Sequence, residues 1–208
     1  MRSLKPLVFA LALAPAAWLT YGIFTGGLGP NPAETLQLET GIWTFRFLLT
    51  TLAITPARRL TGWNVLVRYR RMLGLFAFFY ASVHLLTYVV LDHFFAWDAI
   101  AQDIVKRPFI TAGMAAFALM VPLAITSTKG WIRRLGRRWQ QLHRLVYLSG
   151  IAAAVHFIWK VKVAIGEPVY YAVILAVLLA FRLAWRFRPA PPLRPSEAAP
   201  RTIEAPPR

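Results

Sequence analysis

Residues 72–91 read MLGLFAFFYASVHLLTYVVL, twenty positions with no charge and one histidine, His84. At about 1.5 Å per residue such a run crosses the roughly 30 Å hydrocarbon core of a bilayer. Arg68, Arg70 and Arg71 close it on one side, Asp92 and His93 on the other. It reads as a spanning helix that carries an imidazole where ionisable groups are expensive.

Five further stretches fit the same ruler: 7–24, 41–55, 109–126, 143–159 and 169–185. The second is short and contains Arg46; the third carries Pro122, which should kink it; the fourth has His143 near one end and His156 near the other; the last carries Arg182, close enough to its end to snorkel. The basic start and the Ala-rich 12–17 stretch of the first also suit a cleaved signal peptide, but its apolar run continues through Trp18, Tyr21 and Phe24 and favours a retained span. The expectation is an all-α integral membrane protein, a bundle of six transmembrane helices. Residues 1–188 form its transmembrane domain, and 189–208, with seven prolines, a disordered tail. No internal repeat is evident.

Composition agrees. The 208 residues are 58% hydrophobic, with 24 Lys and Arg against 8 Asp and Glu, a net charge of +16 and no cysteine. Soluble domains are usually about 45–50% apolar. Disulfide scaffolds and Cys-ligated metal centres are excluded. With both termini cytoplasmic, 19 cations fall on the inner side and 4 on the outer, with Arg46 within the membrane. That asymmetry accounts for the charge without nucleic acid, and contact with anionic membrane lipids is expected for the inner arginines.

The chemistry is narrowed by what the spans hold. There is no intramembrane Asp or Glu, no HExxH and no phosphate-binding glycine motif. Two facing imidazoles in apolar surroundings suit a b-type haem, with one axial histidine on each face of the iron. His84 lies 13 residues beyond Arg71, and His156 lies 13 beyond His143, on spans of the same direction. Both therefore sit about 20 Å from the inner end, at a shared level between spans 3 and 5. Beneath them on the same faces are Ala77 and Ala81, and Ser149, Ala152 and Ala153. Small residues there leave room for a flat macrocycle; ordinary small-residue packing between membrane helices is the alternative.

His143 lies at the inner surface, level with Arg71 and about 140° from the His156 face. A second-site ligand, a flavin or quinone contact and an interfacial histidine all remain open for it. His93, beside Asp92 in an outer loop, reads as a surface residue. Arg46 costs about 2.5–3.5 kcal/mol at mid-span and needs an anion: a haem propionate, or Glu39 or a headgroup.

Several stretches carry a resemblance: LTTLAITP at 49–56, YRRMLGL at 69–75, HLLTY at 84–88, KRPFITAG at 106–113, RRWQQLHRLVY at 137–147 and HFIWKVK at 156–162. In order and spacing they resemble the MsrQ family, formerly YedZ, within the ferric-reductase-like transmembrane group. The resemblance covers about residues 5–187. It implies an inner-membrane electron-transfer subunit with haem b and FMN. Such a subunit takes electrons from the quinone pool or a flavin reductase. It passes them to a periplasmic molybdenum-containing subunit, MsrP, which repairs methionine sulfoxide. The family's histidines of interest correspond to His84, His156 and His143. The broader group carries two histidines on each of two helices, whereas span 3 here has one. The inner arginine loops at 58–71, Arg71 included, and 129–138 are where a flavin phosphate or an acidic donor would dock. A stand-alone ferric or quinone reductase, and a transporter or scaffold without redox chemistry, are the other readings.

The charge count fixes a first prediction. A reporter fused after Arg188 should report cytoplasm and one inserted near Asp98 periplasm. The opposite pattern would reverse the orientation.

Overall fold

The computed structural model describes residues 4–161 and 166–187. The tail expected at 189–208 lies outside the described residues. Nine α-helices are described: α1 Lys5–Thr25, α2 Pro32–Thr61, α3 Val67–Thr87, α4 Trp97–Lys106, α5 Pro108–Ile125, α6 Lys129–Leu135, α7 Arg137–Leu142, α8 Leu145–Lys160 and α9 Glu167–Arg186. A 3-10 turn, Asn64–Leu66, leads into α3, and a single π turn, Tyr88–Asp92, extends its outer end. No strand occurs among the described residues.

Local sequence sets the helix ends. Asn31 accepts the Glu34 N–H with its side chain, and Pro32 occupies the first turn of α2, where a missing N–H costs nothing. Gly62, at φ 75°, ends α2 in the left-handed conformation that glycine alone adopts freely.

Five helical stretches are long and apolar enough to cross a membrane: Lys5–Thr25, Asn64–Asp92, Pro108–Ile125, Arg137–Lys160 and Glu167–Arg186. The chain is an all-helical membrane protein. Large apolar side chains such as Leu7, Phe9, Val173 and Val177 stand exposed on the outer helices, as lipid-facing surfaces require. The sixth expected span, 41–55, lies within α2 and is not among the five. Arg46 and Thr44, Thr50, Thr51 and Thr55 dilute its apolar character. The reason is positional: α2 sits at the centre of the bundle, with Phe45, Phe47, Leu48, Leu49 and Leu52 buried against other helices. A helix screened by neighbours needs less apolar surface than one facing lipid. The expected span at 143–159 overlaps α8, Leu145–Lys160, and the short α7 precedes it across a break at His143.

Two antiparallel pairs form the bundle, α2 with α3 and α5 with α8, while α9 lies against α8 and α2. Phe47 stacks on Tyr80 at 5.3 Å between ring centres and on Phe76 at 5.7 Å, filling the space between α2 and α3.

In lipid a free backbone group has no water to turn to, so prolines within helices need partners from elsewhere. Around Pro15 the ladder of α1 opens, and the Tyr80 hydroxyl enters the gap: it accepts from Ala16 N–H at 3.0 Å and donates to the Ala12 carbonyl at 2.9 Å. Pro56 cannot donate to the Leu52 carbonyl, and Arg182 Nη2 does so at 2.7 Å, while its Nη1 reaches Tyr147 Oη at 2.7 Å. Arg182 thus turns into the bundle; the expected snorkelling does not occur.

Tyr80→Phe should lower stability in detergent by about 1–3 kcal/mol, because it removes both bonds from a buried position. Thermal unfolding measures this; an unchanged midpoint would show that the hydroxyl does not hold α1.

Candidate functional site

α3 and α8 bring His84 and His156 together, with ring centres 6.1 Å apart and planes at 78°. His84 Nδ1 lies 2.9 Å from the Gln37 carbonyl and 3.4 Å from Thr40 Oγ1. His156 Nδ1 lies 2.6 Å from the Phe109 carbonyl. A carbonyl only accepts, so each Nδ1 carries the proton and each Nε2 keeps its lone pair. Among the described residues neither Nε2 has a hydrogen-bond partner. Gln37 holds α3 a second time through its side chain, which accepts from the Thr87 hydroxyl.

Each ring rests on a glycine. A Cβ added at Gly41 would lie 3.0 Å from His84 Cε1, and one at Gly113 would lie 2.7 Å from His156 Nδ1. The anchoring carbonyl comes one helical turn before the glycine in both cases, and both bonds span 47 residues. Gln37, Gly41 and His84 therefore recur as Phe109, Gly113 and His156, displaced by 72 positions. Phe45 and Phe117, Leu73 and Leu145, and Ala81 and Ala153 keep the same register. This repeat corrects the sequence reading, which found none: it lies in register, with too few shared residue types to stand out.

The two imidazoles line a cavity of about 190 Å³ that opens to the surface. Toward the side that the charge count assigns to the inside, its wall is Phe45, Leu48, Ala81, Phe117, Met120 and Ala153. Thr44 also lies there, its hydroxyl donating to the Thr40 carbonyl. Toward the outer side stand Gln37, Tyr88, Asp92, Arg107 and Lys160. Of the small residues expected beneath the histidines, Ala81 and Ala153 line the cavity. Ala77 and Ser149 are fully buried, Ser149 donating to the Ala116 carbonyl at 3.0 Å. Ala152 belongs to a separate groove beside Trp159.

The remaining candidates lie elsewhere. Arg46 is absent from the cavity lining; its Nε donates to Tyr171 Oη at 2.8 Å and its guanidinium sits 4.8 Å from the Trp43 ring centre. Arg71 is exposed at the inner end of α3. His143 stacks on Trp139 at 3.8 Å, its Nδ1 3.0 Å from the Trp139 carbonyl, and its Nε2 is buried without a partner among the described residues. His93 is not the surface residue expected: its side chain is 16% exposed and its Nε2 lies 3.2 Å from Asp103 Oδ2, with Arg107 3.3 Å from the other oxygen. The π turn and α4 fold back on each other and create that pair, which no local sequence signal announces.

The geometry limits what the pair can hold. No group of three His, Cys, Asp or Glu side chains suited to a metal occurs among the described residues. Protein-only zinc sites use three or four ligands. Two opposed imidazoles instead suit a metal whose other ligands arrive with it. A metal–imidazole bond is about 2.0 Å and a ring centre lies about 1.1 Å behind its nitrogen, so two imidazoles on opposite sides of one ion would have centres about 6 Å apart. The observed 6.1 Å matches.

Comparison with known proteins gives the family. Residues 40–154 match the family described as ferric reductase like transmembrane component. Among named relatives, the protein-methionine-sulfoxide reductase heme-binding subunit MsrQ of Xanthomonas euvesicatoria pv. vesicatoria is 54% identical over 188 residues, 88% of this chain and 86% of its own. The MsrQ of Azospira oryzae is 51% identical over 190 residues, covering 90% and 82%. The chain is thus a ferric-reductase-like transmembrane protein, and within that group it belongs to the MsrQ family.

The tighter approach at Gly113 predicts that Gly113→Ala destabilises by about 1–3 kcal/mol and Gly41→Ala by less. Thermal unfolding in detergent ranks them; a neutral Gly113→Ala would contradict the close contact.

Proposed function

We propose that the chain is the haem b subunit of a methionine-sulfoxide reductase system, with His84 and His156 as the axial ligands of one haem in the outer half of the membrane. The observation that carries this reading is the opposed pair of imidazoles at 6.1 Å, each with Nε2 free and Nδ1 on a backbone carbonyl. The names of the relatives support it. When bound, a haem supplies reversible one-electron reduction.

The chain's residues do the rest. The Gln37 and Phe109 carbonyls fix the tautomer and the ring orientation, and they raise the basicity of the ligating nitrogens. Gly41 and Gly113 let the helices approach closely enough for those bonds. Ala81 and Ala153 leave room beside the ligands, while Leu48, Phe117 and Met120 keep water from the inner wall.

The wider assignment belongs to the same proposal. It has six spans, the sixth supplied by α2, in a bacterial inner membrane with both termini cytoplasmic. Residues 1–188 form the haem domain and 189–208 the tail. Electrons enter from a quinol or a flavin reductase, with FMN held on the inner arginine loops near Arg71. They leave to a periplasmic molybdenum-containing MsrP-like partner, which carries out the sulfoxide chemistry. The positive-inside count supports the orientation; the family resemblance supports the donor, the flavin and the acceptor. His143, half-buried and with its Nε2 unpartnered among the described residues, serves electron entry.

Pyridine haemochrome content and the Soret band of purified, folded variants test the ligands. About one haem per chain is expected. His84→Ala and His156→Ala should each abolish it, His143→Ala should retain most of it, and His93→Ala should leave the spectrum intact. Close to two haems in the parent, with one lost in His143→Ala, would overturn the single-haem reading.

A further inference from the structure

The cavity has two unlike ends. Apart from Thr44, the inner wall named above is apolar, whereas the outer mouth holds two cations, Lys160 and Arg107, and one acid, Asp92. An amphipathic ligand gripped between the histidines would turn a charged edge toward that mouth, since burying carboxylates against the inner wall would leave them without partners.

Lys160 lies four residues beyond His156 on α8, on the same face and one turn further out. Its ammonium sits 5.9 Å from the centre of the Phe109 ring, on the residue whose carbonyl holds His156. No carboxylate among the described residues pairs with it. Arg107 immediately precedes α5, two residues before Phe109, and among the described residues its ion pair is made by Nε alone, with Asp103. The other half of the repeat places Tyr88 where this half has Lys160, so the cationic side of the mouth is the His156 side. Asp92 stands on the His84 side, at the end of the π turn. Arg46, the cation that the sequence suggests for a propionate, is engaged with Tyr171 outside the lining.

We propose that Lys160, with Arg107 beside it, is the carboxylate-recognising edge of this site, and that it orients the bound porphyrin with its propionates toward the outer mouth. The inference rests on the haem reading above and adds a binding residue to it.

The test uses the full-length protein in detergent, loaded either with iron protoporphyrin IX or with its dimethyl ester, whose propionates are blocked. Release to an excess of a haem-scavenging apoprotein is timed. A partly exposed ion pair contributes about 1 kcal/mol, so Lys160→Met should release the free-acid haem about fivefold faster than the parent. The same substitution should leave release of the ester unchanged, and Lys160→Arg should restore the parent rate for the acid. Equal acceleration of both haems, or of neither, in variants that keep a low-spin bis-histidine spectrum would overturn the Lys160 assignment and leave the ligand assignment standing. A parent protein without that spectrum would overturn the haem reading itself, and this proposal with it.

Discussion

A backbone carbonyl one turn before a glycine holds each intramembrane histidine, and the rest of the site depends on that contact. The Gln37 and Phe109 carbonyls take the Nδ1 protons of His84 and His156. Each is a carbonyl of a helix, α2 or α5, that would otherwise bond only along its own axis. The glycine beneath each ring removes the one side chain that would hold the partner helix away. Ring orientation, tautomer and interhelical spacing are therefore one decision made by two residues. An alanine or a valine at either glycine would have to move an imidazole to be accommodated.

The same economy of backbone partners runs through the bundle. Prolines at 15 and 56 open helical ladders inside the membrane, and a side chain from another helix answers each opening. Tyr80 enters α1, and Arg182 reaches the carbonyl of Leu52. These bonds join helices far apart in sequence. In hydrocarbon they replace the water that would serve a soluble protein, so helix irregularity becomes interhelical attachment. The burial of Tyr80, at 1% exposure, shows how completely its hydroxyl is committed to this role.

How much of this can be read without coordinates follows from what each signal requires. The uncharged run at 72–91 and its fellows reveal the helical bundle, because span length is set by the bilayer alone. The matched 13-residue offsets of His84 and His156 reveal a shared level, because rise per residue is constant. Their facing geometry is consistent with that depth, and the Ala81 and Ala153 positions were legible from helical spacing. At Arg46 a mid-span charge announces that it needs a partner, not which one, and Tyr171 lies 125 residues away. His93 escaped for the same reason, its Asp103 arriving only when α4 folds back. The duplication of the helix pair escaped because the bilayer constrains register more tightly than residue type. Glycine, histidine and a carbonyl recur, but a carbonyl has no letter in the sequence.

That duplication explains where the cavity lies. Within each pair, the histidine is tied to the partner helix of its own pair: His84 to α2, His156 to α5. Among the described residues neither ring is hydrogen-bonded to the opposite pair, and the two ring centres lie 6.1 Å apart across the divide. The site therefore forms between two units that are each internally complete. A ligand bound to both histidines would add to the contacts between the pairs, and its binding free energy would stabilise their relative placement by mass action. Histidines on separate, internally braced units would also keep their directions if the charge of such a ligand changed, because the hydrogen bonds that aim them do not pass through it.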